Sequence, residues 1–244
     1  MDHSKVIFTG ESGLLGSAFK TIMPDLTYPS LDEFDILRYD QMETYVRERD
    51  FEQLVHAAAF TSPPLIDKDP MTALDVNIVG TANVVKLCAA FDARLIYICT
   101  DYVFKGDKGN YTEDEPVLPV NKYAWSKLGG ECAVRLYDKS LVIRTTFGPD
   151  VFPYEKAFVD QWTSREGVSV IARKISKLID KDIFGVIHVC GERKTVFEYA
   201  KSLDASRDIG TLSVHDVNFD VPSDTSLNCD KYNALISGEC TAED

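Results

Sequence analysis

The sequence predicts an α/β fold, a doubly wound parallel sheet carrying a small C-terminal lobe. Short apolar runs alternate with helix-length segments through the first 145 residues, and the first of these runs ends in a glycine-rich turn that opens a helix. The size agrees: 244 residues, 45% hydrophobic and 11% aromatic, supply a full core for one α/β domain with an appendage.

Val6, Ile7 and Phe8 form the first strand, and residues 14–23 a helix stopped by Pro24. A weak second strand is expected near 26–30, a helix near 40–49 and a third strand at 53–57. Residues 72–91 carry the period of a long amphipathic helix, with Leu74, Ile78, Val85 and Leu87 among its apolar positions. Residues 94–99 are strongly β-prone. A loop rich in Pro, Gly, Asp and Glu (105–119) leads to a helix at about 120–138, and 141–144 is the fifth strand. After Gly148 the pattern loosens. Segments 168–181 and 196–206 read as helices, 185–189 as a strand, and 230–236 as a short helix before an acidic tail.

Charge narrows the function. With 39 acidic against 26 basic side chains the net charge is -13, so phosphate backbones and anionic lipid surfaces are repelled, and neither nucleic acid nor membrane is an expected partner. No apolar run approaches the roughly 20 residues of a membrane helix, and the first residues show no secretory pattern. A soluble, cytoplasmic protein is expected. Cys88, Cys99, Cys132, Cys190, Cys229 and Cys240 are scattered without paired spacing, which points to reduced thiols and no metal site. Asn110-Tyr111-Thr112 matches a glycosylation sequon but reads as a plain loop.

An anionic ligand on such a chain must be met locally. Thr9-Gly10-Glu11-Ser12-Gly13-Leu14-Leu15-Gly16 places glycines three apart between a strand and a helix, where they permit a tight turn and close approach to a pyrophosphate. The helix N-terminus there offers amides and positive potential without a basic side chain. The spacing departs from G-x-G-x-x-G, and glycines in a turn also serve as plain punctuation. A ribose-binding acid is expected about 20 residues on. Asp32 lies there, with Glu33 and Asp35 close by, and each could instead cap the following helix. Asp32 to Leu37 contains no Arg or Lys to hold a 2′-phosphate, so between NADH and NADPH the balance tips to NADH. On this reading residues 1–150 and 168–206 form a Rossmann-type dinucleotide-binding domain, and 151–167 with 207–244 a small substrate lobe.

Tyr123-Ala124-Trp125-Ser126-Lys127 falls on a predicted helix, which puts Tyr123 and Lys127 one turn apart on one face. An ammonium there would stabilise phenolate and lower the tyrosine pKa, so that the phenol can protonate a carbonyl oxygen as hydride arrives at carbon. A surface pair is the bland alternative. Thr100 ends the strongest strand, at the carboxyl edge where open α/β sheets bind ligands, and could hydrogen-bond the same carbonyl. By alternation Cys99 should face the other way, into the core.

The glycine turn, His56-Ala57-Ala58-Ala59, Asn77-Ile78-Val79-Gly80-Thr81, Thr100-Asp101-Tyr102-Val103-Phe104, Tyr123 to Glu131, Ile143-Arg144-Thr145-Thr146-Phe147 and Val221-Pro222-Ser223-Asp224-Thr225-Ser226-Leu227 together resemble an extended short-chain dehydrogenase/reductase. They are most similar to the dTDP-4-dehydrorhamnose reductase family of nucleotide-sugar 4-ketoreductases. The resemblance implies Thr100, Tyr123 and Lys127 as catalytic residues. It implies cofactor contacts at Gly13, Leu14, Leu15, Asp32, Asp35, Ile36, Ala58, Ala59 and Phe60, beside Gly10, Gly16, Tyr123 and Lys127. Substrate contacts would fall at Thr100, Val103, Phe104 and Phe147. The partner implied is a nucleotide sugar, and a homodimer is left open. Two departures stand out: a substrate lobe shorter than usual, and Val221 where the motif commonly opens with Arg. Arg165, Arg173 and Arg193 are candidate replacements, each expected to be solvated. Dehydration is disfavoured because Tyr102 follows Asp101 where dehydratases have Glu. Reductases that also epimerise use an added Cys and His, but Cys99 points into the core and His188 reads as structural. The non-catalytic alternative is a dinucleotide-binding regulatory subunit, because the family includes the regulatory β subunit of methionine adenosyltransferase.

Overall fold

The computed structural model describes residues 2–217 and 221–238. Cys240 and the acidic tail lie outside them.

Five parallel strands form the central sheet: β1 (Val6–Thr9), β2 (Gln53–His56), β3 (Arg94–Thr100), β4 (Ser140–Thr145) and β9 (Gly185–Val189), in the order β1-β2-β3-β4-β9. All five are buried along most of their length, the continuous apolar pattern of a sheet covered on both faces. Alternate residues feed two separate cores. Ile7, Leu54, Leu95, Tyr97, Cys99 and Val142 pack under α2 (Tyr39–Arg47), α5 (Thr81–Ala90) and α6 (Lys122–Val134). Phe8, Val55, Ile96, Ile98, Ile143 and Ile187 pack under α1 (Leu14–Ile22) and α7 (Val168–Ser176).

The weak second strand does not form: its trace is one parallel bridge between Thr27 and Ile7. Pro24 precedes it, and Pro29 inside it removes one of its amide donors. The long helix predicted at 72–91 starts earlier and is interrupted. It runs as α4 (Pro70–Ala73), a π-helical stretch (Leu74–Gly80) and α5, capped at its start by Asp69, whose carboxylate accepts from the Met71 and Thr72 amides. By length and composition Pro70–Ala90 could cross a membrane, which the sequence reading did not anticipate, but Asn77, Gly80, Thr81, Val84, Leu87 and Cys88 form a buried face against the rest of the fold. α3 (Pro63–Lys68) precedes it.

After β4 the chain builds a lobe from short pairs: β5 (Phe147–Gly148) with β8 (Glu166–Gly167), β7 (Trp162–Thr163) with β10 (Lys194–Thr195), and β6 (Lys156–Phe158) with β11 (Gly210–Leu212). Its own core is Phe152, Ala157, Val196, Tyr199, Ala200 and Ile209. α8 (Val196–Leu203), grouped with the dinucleotide unit by sequence, contributes three of these side chains and so packs with the lobe. α9 (Asp230–Ser237) closes the described chain and returns to β9.

Candidate active site

The glycine turn lies at the carboxyl end of β1. Gly10 has φ +80, and a Cβ on it would stand 2.7 Å from the Ala58 amide nitrogen; one on Gly16 would stand 2.3 Å from the Gly10 carbonyl oxygen. Both positions therefore exclude any side chain, which keeps the turn flat against the start of α1. Gly13 is the N-cap of α1 and provides no side-chain cap, so the amides of Leu14, Leu15 and Gly16 are left for another acceptor. The Glu11 carboxylate is drawn aside by Lys20.

Past β1 the acids separate by task. Glu33 accepts from the Ser30 amide and hydroxyl, and Asp35 accepts from the Leu37 amide at 2.9 Å, so both hold turns. Asp32 is exposed, its backbone carbonyl fixed by Gln41 while its carboxylate projects from that anchored turn. Ile36 is buried against Gly80, where a Cβ would come within 2.7 Å of it. Opposite, Ala58, Ala59 and Phe60 form the half-buried loop after β2. Thr9 Oγ1 accepts from the Ala58 amide, and the Phe60 amide and carbonyl are both gripped by Asn77, at 2.7 and 2.9 Å.

Asn77 also donates to Ser126 Oγ at 2.8 Å, tying the loop to α6. The sequence reading quoted Asn77 without giving it a role. Gly129 and Gly130 let α6 approach the π-helical stretch, since a Cβ on Gly130 would lie 2.6 Å from the Asn77 carbonyl oxygen. α6 itself starts at Asn121, whose side chain caps the Ala124 amide.

Tyr123 and Lys127 share the inner face of α6. Thr100, at the end of β3, donates its hydroxyl to Asp101 at 3.1 Å and accepts from the Tyr102 amide at 3.3 Å, and the Tyr123 ring meets Tyr102 edge-on at 6.5 Å. Lys127 is 4% exposed, and its ammonium lies 4.3 Å over the Tyr97 ring. The expected influence of lysine on tyrosine does not appear. Burial dominates at each: it pushes the Tyr123 phenol up, and it draws the Lys127 ammonium down to about 8. Cys99 is buried as expected, on the face opposite Thr100, yet that face is the one α6 covers. Its sulfur is 3.9 Å from the Lys127 carbonyl oxygen, and burial keeps the thiol protonated.

Val103 and Phe104 are fully buried. Phe104 is stacked on Tyr111 at 4.4 Å, meets His188 edge-on and faces the Arg144 guanidinium, so its ring has no free face for a substrate. Phe147 is half-buried beneath the sheet edge. His188 is enclosed, its Nδ1 3.2 Å from the Asn228 carbonyl oxygen, and burial lowers its pKa to about 3, keeping it neutral.

Of the three arginines read as solvated, Arg173 and Arg193 are exposed and Arg165 is half-buried, but Arg193 is engaged as well. Arg193 stacks 3.8 Å over Trp162 and pairs with Asp224 at 2.7 Å, which clamps the Val221 to Leu227 motif to the lobe in place of the missing Arg. Arg165 lies within electrostatic reach of Tyr102 and Asp101. Asp101 is buried and accepts from Thr225 at 2.7 Å and Thr100 at 3.1 Å. A cavity of about 590 Å³ lies elsewhere, at the amino ends of β4 and β9 around Glu113, Arg135, Asp138 and Lys231. No cluster of metal-ligating side chains occurs among the described residues.

The RmlD substrate binding domain family matches residues 4–177. Methionine adenosyltransferase 2 subunit beta of Rattus norvegicus is 25% identical over 280 residues, 97% of this chain and 84% of that protein. The crystal structure of a hypothetical dTDP-4-dehydrorhamnose reductase from Sulfolobus tokodaii matches with a TM-score of 0.83 at 26% identity, covering 96% of this chain and 95% of that one. dTDP-4-dehydrorhamnose reductase from Bacillus anthracis, solved in complex with NADP, gives 0.83 at 26% identity, covering 96% and 91%. The parallel sheet, the uncapped glycine turn and this match together place the chain in the RmlD substrate binding domain family, with the fold of the extended short-chain dehydrogenases/reductases.

Proposed function

We propose that the protein is a nicotinamide-dependent reductase of a nucleotide-linked 4-keto-6-deoxy sugar. The observation that carries this reading is the convergence at one sheet edge of a side-chain-free glycine turn, Thr100 at the end of β3 and Tyr123 on α6, with Lys127 one helical turn further on. The turn fits a dinucleotide: residues 10–16 offer uncapped amides to the pyrophosphate, Asp32 a carboxylate to the ribose, and residues 58–60 a wall held by Asn77. When bound, the cofactor supplies the hydride.

The chain's own groups handle the proton and the position of the ketone. Tyr123, a phenol already protonated at working pH and held more firmly so by burial, donates to the C4 oxygen as negative charge develops there. Thr100 orients that oxygen. Lys127, charged below about pH 8, holds ribose hydroxyls and adds positive potential under the site. Simple reduction is preferred to dehydration because Tyr102 supplies no carboxylate base, and to coupled epimerisation because Cys99 and His188 are sealed in the core. NADH is favoured over NADPH: Glu11 engages Lys20, and a 2′-phosphate would meet Asp32.

The test is oxidation of NADH and of NADPH with a panel of nucleotide-linked 4-keto-6-deoxy sugars. Turnover of at least one is expected. Tight dinucleotide binding with no turnover would instead support the second reading, a non-catalytic regulatory subunit. That reading is favoured by the alignment with methionine adenosyltransferase 2 subunit beta along 97% of the chain.

A further inference from the structure

His56 closes β2 in register with Thr9, the last residue of β1, and its ring lies on the face of the sheet that α5 covers. His56 and Thr81 are fully buried and Thr9 nearly so, which obliges their polar atoms to find partners inside the protein. The hydrogen bonds leave one assignment of protons. Thr81 gives its single hydroxyl hydrogen to the Asn77 carbonyl oxygen at 2.8 Å, an atom that can only accept. Its lone pair therefore takes a hydrogen from His56 Nε2, 3.1 Å away, which puts the ring proton on that nitrogen. Burial, helped by the Lys127 ammonium, lowers the imidazole pKa to about 3, so the ring is neutral and Nδ1 is bare. Tyr97, its ring 5.7 Å away, is the other titratable side chain stacked beside it. Nδ1 then accepts from the Thr9 hydroxyl at 2.8 Å, and Thr9 Oγ1 accepts from the Ala58 amide at 3.3 Å.

The chain of bonds continues past Thr81. Asn77 lies in the π-helical stretch and grips Phe60 and Ser126 with its side chain, and Ser126 Oγ donates to the Tyr123 carbonyl at 2.7 Å. One imidazole thus stands between the two holds on the loop at 58–60, Thr9 at Ala58 and Asn77 at Phe60. We propose that His56 is a positioning residue for the dinucleotide: held as the Nε2–H tautomer, it joins the strand that carries the glycine turn to the π-helical stretch, and so sets the wall at 58–60 against the turn at 10–16. The role needs a donor and an acceptor on two sides of a rigid ring, which neutral imidazole supplies. The inference rests on the reading of the glycine turn as a dinucleotide site, and its measurement does not require turnover.

The experiment pairs dinucleotide binding with histidine NMR on the full chain. NADH and NADPH affinities are measured by fluorescence for wild type, His56→Leu, His56→Gln, Thr9→Val, Thr81→Val and the variant carrying both threonine changes. His56→Leu is expected to weaken binding about fivefold or more, and His56→Gln, whose amide can still donate toward Thr81, to recover part of that loss. The two threonines sit on opposite nitrogens of the ring, so their coupling runs through His56, and the double variant should lose less affinity than the product of the two single losses. In protein carrying isotopically labelled histidine, the ring signals absent from His56→Leu should belong to an Nε2–H tautomer and stay unchanged between about pH 5.5 and about pH 8.5. Should His56→Leu not fold, His56→Gln makes that assignment and the threonine cycle stands by itself. A lowered Tm with unchanged dinucleotide affinity, threonine losses that simply multiply, or a ring that titrates or carries its proton on Nδ1 overturns the proposal. Wild type that binds neither dinucleotide removes the reading of the turn and this proposal with it, whereas the other overturning results leave that reading standing.

Discussion

Tyr123 and Lys127 show how environment changes what a spacing implies. Four residues apart on a helix, they look like a cation lowering a phenol's pKa; in the folded chain both are desolvated first, and each moves toward its neutral form. For the reduction this suits Tyr123, which must hold its proton until the ketone arrives. Tyr123→Phe is expected to lower the rate by about 10²-fold or more with dinucleotide affinity unchanged, the size of a lost general acid. A near-wild-type rate would remove Tyr123 from the chemistry. For Lys127 the consequence is a pH limit. Its ammonium is present below about 8 and lost above it, so kcat/KM for reduction should be level at neutral pH and fall as pH rises through about 8. The sign for stability is opposite. Between about 8 and its ordinary 10.5 the unfolded chain binds the proton and the native chain does not, so this residue's cost is relieved as pH rises. Lys127→Met should therefore raise Tm at pH 7 while abolishing turnover, and a lowered Tm would show that the buried charge is better solvated than its burial implies.

At the scale of elements, the site depends on how closely two helices approach. The π-helical stretch and the Gly129-Gly130 pair of α6 bring Asn77 to Ser126 and to the loop after β2, so one amide side chain fixes the cofactor wall against the helix that carries Tyr123. Asn77→Ala would leave the Phe60 amide and carbonyl unpaired in a half-buried loop. A loss of about 1–3 kcal/mol in unfolding free energy is expected, with a several-fold weaker dinucleotide Kd, read by denaturant titration and fluorescence binding. An unchanged Kd would mean that the loop is held by Thr9 alone. The elements were largely legible in the sequence because their causes are local: β-branched runs, Pro24 after α1, the glycines of the first turn. The failures had non-local or opposed causes. The segment at 26–30 had strand composition but one proline before it and another inside it, and the π-helical stretch has no mark in the apolar period of residues 72–91.

The whole molecule is held together at its far end by side chains distant in sequence. The Val221 to Leu227 motif crosses back to the lobe, where the Asp224 amide donates to the Gly106 carbonyl, the Trp162 amide to the Ser223 carbonyl, and Thr225 to Asp101 beside Thr100. Arg193 locks this strap through Asp224 and the Trp162 ring. Arg193→Ala should leave dinucleotide affinity unchanged, raise KM for the sugar several-fold and lower Tm by a few degrees, since the pair is partly exposed and screened. A change confined to dinucleotide binding would place the strap elsewhere. By itself the sequence determined the α/β class and pointed to the glycine turn and to Thr100, Tyr123 and Lys127 as the site we propose, because period, glycine spacing and helical offset are properties of neighbouring residues. Only the tertiary structure decided that Val103 and Phe104 are core, that Arg193 is engaged, and that burial outweighs the lysine at Tyr123. Desolvation and long-range pairing depend on which surfaces meet, and no spacing along a chain records that.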